Sequence, residues 1–181
     1  MGRILMFDLK YTYSKREWIR AIRRYLFLSK MISVSMILKI LFIYVVMIDL
    51  VIQNKFIWLA IIFGSISFFF TIVYVYLYFI HPGYSYKNGG LEQKEIHFIF
   101  SDDKIINEHV LGSSEILWEY YHCYLESPGS FFLEVAKNQY NVIPKRVLVT
   151  KEQVDAFRVL IRKHLMESSE LEREKRRKRK D

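Results

Sequence analysis

The sequence predicts an α+β protein in which a two-helix transmembrane hairpin is joined to a small antiparallel β-sheet domain capped by a C-terminal α-helix. Three observations point to it. Met31–Ile52 and Phe56–Ile80 are long apolar stretches separated only by Gln53-Asn54-Lys55; short alternating segments bounded by turn residues follow residue 90; and another alternating segment precedes the first apolar stretch. The chain of 181 residues has room for a membrane anchor and one small domain, and its apolar residues are too unevenly spread for a single globule. The expected division is an N-terminal strand and basic amphipathic helix over 1–30, the hairpin over 31–80, an α+β domain over 91–166 and a basic tail over 167–181.

In the N-terminal arm Leu5, Phe7, Leu9, Tyr11 and Tyr13 alternate with Met6, Asp8, Lys10 and Thr12, the period of a strand with one buried face. A lone strand is not stable, so the arm is expected to complete the sheet of the C-terminal domain. Ser14 with Glu17 three residues on spells a capping box and the start of a helix. Trp18, Ile19, Ile22, Tyr25 and Leu26 share one face of it, and Arg16, Arg20 and Arg23 share another. Such a helix either lies on the inner leaflet or packs its apolar face on the soluble domain; amphipathicity alone leaves both open.

Each apolar stretch, of 22 and 25 residues, exceeds the roughly 20 needed to cross a bilayer. The first contains only Lys39 and Asp49 as charges and the second none. Basic residues crowd before the first stretch and recur after the second at Lys87 and Lys94, while Lys55 stands alone in the turn. A multi-pass inner-membrane protein with both termini cytoplasmic is the expectation. Ala60, Gly64, Ser67 and Thr71 recur at steps of four, three and four, a small-residue face that packs the hairpin and leaves a homo-oligomer open. Lys39, eight residues inside its stretch, is expected to snorkel to the interface; the sharper alternative is a buried amine meeting Thr71, Tyr74 or a partner's carboxylate.

His81-Pro82-Gly83 and Asn88-Gly89-Gly90 are breakers that open the soluble domain. Ile96, Phe98 and Phe100 alternate in a strand, Ser101-Asp102-Asp103 turns, and Lys104–Val110 returns. Leu117–Leu125, Phe131–Ala136 and Tyr140–Ile143 extend an antiparallel meander. Thr150 with Gln153 is a second capping box, and Val154, Phe157, Leu160, Ile161 and Leu165 line one face of a helix running to about residue 166 that must cover the sheet.

The formal charge of +8 is concentrated in the first thirty residues and the last ten. This distribution suits the anionic lipids of the inner leaflet, contacted by Arg16, Arg20, Arg23 and Arg24 and by Arg176, Arg177, Lys178, Arg179 and Lys180 of the tail. The tail has no interleaved aromatics to stack on bases, which argues against nucleic acid. Lone Cys123 excludes a disulfide framework, and the first apolar run is too long for a secretory signal. His122 and Cys123 are neighbours on a strand, point to opposite faces and cannot act as base and nucleophile. His81, His97, His109 and His164 lack metal-ligand spacing, and Gly89-Gly90 is a turn rather than a phosphate loop. No catalysis, metal or cofactor is expected. Lys145 and Arg146, beside Pro144, are candidate contacts for a partner, set against simple solvation at a strand end.

Trp118 opening a strand, Phe131-Phe132-Leu133 in the next, Val142-Ile143-Pro144-Lys145-Arg146 and then a capped helix with Phe157 resemble the C-terminal domain of the YcxB-like bacterial membrane proteins. The resemblance extends to two transmembrane helices after an N-terminal strand and helix. It implies a pleckstrin-homology-like (PH-like) fold and adds little about function; the segments themselves suggest a non-enzymatic protein whose hairpin holds a cytoplasmic interaction module at the inner leaflet for a protein partner. The resemblance also implies an alternative, self-immunity against a membrane-active peptide, since small bacterial membrane proteins with such domains include immunity proteins. An accessory subunit of a transporter is a third reading. At the first hairpin turn, where a PH-like fold often cradles an anionic headgroup, Asp102-Asp103 opposes one.

Overall fold

The N-terminal alternation becomes strand β1 (Phe7–Tyr11), with Leu9 and Tyr11 buried and Asp8 and Lys10 exposed. A computed structural model of the protein describes residues 6–53, 57–89, 91, 95–109, 112–136 and 139–177. Leu5, the turn residues Asn54 and Lys55 with Phe56, Gly90, Lys94, Val110 and the tail residues Lys178, Arg179 and Lys180 lie outside the described residues.

Helix α1 (Lys15–Leu28) is capped by Ser14, whose hydroxyl accepts from the Glu17 N–H at 3.2 Å. The reciprocal half of the expected box is replaced, because the Glu17 carboxylate is taken by Arg146. The chain reverses after α1 through Lys30, whose φ of 57° is the left-handed conformation usual after a helix C-terminus. Helix α2 (Val34–Ile52), capped by Ser33, follows and packs against α3 (Ile57–Val75). Contacts run in opposite senses along the two: Gly64 faces Met47, and Thr71 Oγ1 lies 3.3 Å from Tyr44 Oη. The helices are therefore antiparallel, and both are long and apolar enough to cross a membrane.

The second apolar helix does not stop at the expected breakers. It passes through a π turn (Tyr76–Ile80) into α4 (His81–Asn88), a helical run from Ile57 to Asn88. Pro82 lacks the N–H that an α-helix hands to the carbonyl four residues back, and the wider π turn makes room for its ring. The vacated Tyr78 carbonyl accepts from Arg23 Nε at 3.1 Å. Ile22, Leu26 and Ile32 pack beneath Tyr74, Leu77 and Tyr78, so α1 is wedged against the foot of the second apolar helix.

Beyond residue 94 the strands form two sheets rather than one meander. The first has the order β1, β2 (Ile96–Phe100), β3 (Ile105–His109), β4 (Gly112–Ile116), and β1 pairs antiparallel with β2 from Phe7 opposite Phe100 to Tyr11 opposite Ile96. Strand β4 is absent from the sequence reading, since Gly112-Ser113-Ser114-Glu115 carries none of the β-branched or aromatic residues that mark strands. Trp118 does not open a strand but stands in a 3₁₀ turn (Trp118–Tyr120) that carries the chain to the second sheet. That sheet comprises β5 (Cys123–Glu126), β6 (Ser130–Ala136) and β7 (Gln139–Pro144).

Helix α5 (Lys151–His164) begins at the Thr150/Gln153 capping box, with both reciprocal bonds present, and a short α6 (Ser168–Arg177) follows. Phe157 of α5 is fully buried and meets Phe7, Phe100 and Phe131 edge-on, with ring centroids 5.0–5.4 Å apart. One side chain thus joins three strands from both sheets. Neighbouring residues of a strand face opposite ways, so Phe132 points to the other side of the second sheet and packs on Tyr25 of α1. The apolar face of α1 is therefore divided, with Tyr25 on the second sheet and Ile22 and Leu26 against the foot of the second apolar helix.

Candidate functional site

The basic face of α1 gathers charge that no ion pair compensates among the described residues. Arg16, Arg20 and Arg24 recur every four residues, which sets them along one side of the helix. All three are exposed, and none has an ion-pair partner among the described residues. Arg23 is committed elsewhere, bonded to the Tyr78 carbonyl with its guanidinium 4.6 Å from the Tyr78 ring centre. Two open clefts flank these side chains. One, of about 660 Å³, lies between the arginines and Ile19, Phe27 and Tyr78. The other, of about 630 Å³, lies between α1 and the Ser127–Ser130 turn, with Lys145 and Arg146 in its wall.

Lys145 and Arg146 are neither free contact points nor merely solvated. Lys145 Nζ lies 2.5 Å from Glu126 Oε1 and 4.8 Å from the centre of the Phe131 ring. Arg146 grips both Glu17 oxygens, at 2.6 and 2.9 Å, and donates to the Thr12 carbonyl at 2.5 Å. The Glu17 bond raises the Arg146 pKa further. Glu126 also accepts from Arg158 at 2.7 Å. Burial disfavours its charge, but the bonds from Arg158 and Lys145 outweigh this and hold the carboxyl below its usual range. These partners were invisible to sequence reasoning because Arg146 and Glu17 lie 129 positions apart and no local pattern links them.

The acidic turn is likewise a structural contact. Asp102 accepts from Lys163 at 2.6 Å and lies 3.0 Å from His164 Nε2, and these bonds, Lys163 first, lower its pKa. His164 stacks on Trp118, with centroids 4.7 Å apart. His97 lies between Asp8 and Glu108 at 2.6 Å from each. His122 is exposed, while Cys123 is buried and donates its thiol to Glu134 at 3.1 Å. No three His, Cys, Asp or Glu side chains converge on a metal position among the described residues.

Within the helix pair Ala60 and Ser67 are buried, Gly64 abuts Met47 and Thr71 meets Tyr44. The small-residue face is thus turned towards α2. Lys39 is exposed, with no hydrogen-bond or ion-pair partner among the described residues, and so meets neither Thr71 nor Tyr74. Of the tail, Arg176 and Arg177 lie in α6, and Arg177 is exposed.

Fold and site together define a mixed α/β protein with antiparallel sheets and two helices apolar enough to cross a membrane. Residues 100–161 match the model of the YcxB-like protein family. The match runs from the last residue of β2 into α5 and includes Trp118, Phe131-Phe132-Leu133 and Val142–Arg146, the residues that carry the resemblance in the sequence. No curated protein and no solved structure matches the chain.

Proposed function

We propose that the protein is a non-enzymatic bacterial inner-membrane protein whose two apolar helices form a transmembrane hairpin, with both termini in the cytoplasm, and whose PH-like module engages a protein partner at the membrane. The observation that carries this reading is the pairing of β1 with β2. β1 precedes the two apolar helices and β2 follows them, so both flanks of the pair belong to one folded unit and share one side of any bilayer the helices cross. The seven antiparallel strands among the described residues, in two sheets closed by α5, support the PH-like assignment. For the partner, support comes from β4, whose outer edge has no strand beside it among the described residues and which is followed by exposed Leu117 and Tyr120. A free edge with apolar side chains beside it can accept a strand of another chain.

Cysteine labelling tests the topology. In a Cys123→Ser background, Gln53→Cys should react with a membrane-impermeant maleimide added to intact spheroplasts, and Ser113→Cys only after permeabilisation. Labelling of Ser113→Cys from outside would overturn the reading. A photo-crosslinker in place of Leu117 should capture a partner that the same group in place of Val159 on α5 does not.

A further inference from the structure

We infer that the cleft between α1 and the foot of α3 is a headgroup site for an anionic phospholipid, with Arg20 and Arg24 holding the phosphate. This rests on the membrane-spanning reading and adds a ligand to it. The first argument is depth. Trp58 and Tyr78 stand twenty residues apart on the helical run from Ile57 to Asn88, about 30 Å at 1.5 Å per residue. That is the thickness of the hydrocarbon core, and Trp and Tyr favour its two boundaries. Tyr78 then lies at headgroup level. Arg23, bonded to the Tyr78 carbonyl, pins α1 at the same height.

The second argument is charge. Arg20 and Arg24 are exposed at headgroup level without an ion pair among the described residues. Glu17, which lines the adjoining groove, is already paired with Nε and Nη2 of Arg146 and makes no ion pair with them. A guanidinium presents paired N–H donors that match two oxygens of a phosphate. The third is what adjoins the charge. Phe27 lines the cleft, and Tyr76, Phe79 and Ile80 are exposed on the helix beside it, so a basic pocket runs directly into an apolar lateral surface. A soluble anion makes no use of such a surface; the acyl chains of a lipid do.

The test uses the full chain in detergent micelles, titrated with phosphatidylglycerol or phosphatidylcholine and read by native mass spectrometry. Phosphatidylglycerol should be retained in preference to phosphatidylcholine. Affinity should fall about fivefold in Arg24→Gln and about 25-fold in Arg20→Gln/Arg24→Gln, the scale of one surface-lipid attraction per charge. Lys151→Gln, a charge removed at the start of α5, should leave it unchanged. Both arginines are exposed and without an ion pair among the described residues, so unchanged melting curves are expected and verify that the variants fold. Equal retention of the two lipids, or undiminished retention by the double variant, would overturn the site. Displacement of the lipid by an equal concentration of glycerol phosphate would also overturn it, making the cleft a soluble-anion site. Failure of the cysteine-labelling experiment removes the membrane reading itself, whereas correct topology without lipid preference removes only this site.

Discussion

Glu126 is the residue at which three separate parts of the β-sheet domain are tied, since its carboxylate on β5 accepts from Lys145 at the end of β7 and from Arg158 on α5. Removing it leaves two cations facing each other. Glu126→Gln should cost about 1–2 kcal/mol, below the loss for a fully buried pair because water still screens these groups. The pH dependence has a definite sign. The carboxyl titrates lower in the folded protein than its ordinary 4.5, so its stabilisation is complete above that value and disappears as pH falls through the lower folded pKa. Melting temperatures measured from pH 6 downward should therefore decline less steeply below about 4.5 in Glu126→Gln than in the natural chain.

Helix α3 and its continuation carry two element-scale constraints. At Pro82 a missing N–H is compensated by Arg23, so Arg23→Ala should destabilise the protein by about 1.5–3 kcal/mol, the range for a hydrogen bond from a charged donor. Pro82→Ala returns the backbone donor, and in thermal denaturation the double variant should recover part of that loss, a coupling above about 0.5 kcal/mol. In the helix pair a Cβ on Gly64 would come within 2.7 Å of Met47 Sδ, the flexible end of a side chain that can swing away. Gly64→Ala should thus be tolerated, while Gly64→Leu should cost about 1–3 kcal/mol by forcing the helices apart.

At the scale of the whole molecule, the chain leaves its β-sheet domain after α1, runs through the apolar pair and returns to complete the same sheet. β1 is therefore a structural part of the C-terminal domain. Leu9, Tyr11 and Tyr13 are buried, and both tyrosine hydroxyls donate to the Val142 carbonyl of the second sheet. Each such side chain contributes roughly 1.5–3 kcal/mol of burial against a total stability of about 5–15 kcal/mol. Deletion of residues 1–13 should abolish cooperative unfolding of the β-sheet domain and expose it to limited proteolysis. A deletion variant as protease-resistant as the full chain would contradict the strand's role.

The sequence by itself determined the elements whose signals are local. Two apolar helices follow from length and hydropathy summed along neighbouring residues, β1 from its alternation, and the start of α5 from Thr150 and Gln153, whose bonds span three positions. Local signals failed where a later contact outweighed them: His81-Pro82-Gly83 reads as a break, but Arg23 and the π turn carry the helix through it. Folding alone settled that the strands divide into two sheets, that Tyr25 of α1 lies on Phe132, and that Lys145 and Arg146 are paired with Glu126 and Glu17. It also left Arg20 and Arg24 without an ion pair among the described residues at the foot of the apolar helices, which composition could register only as a basic N-terminus. The reason is physical: propensity and periodicity act over a few residues, whereas the pairing of a charge or a face is settled by whichever distant group the packed core brings within reach.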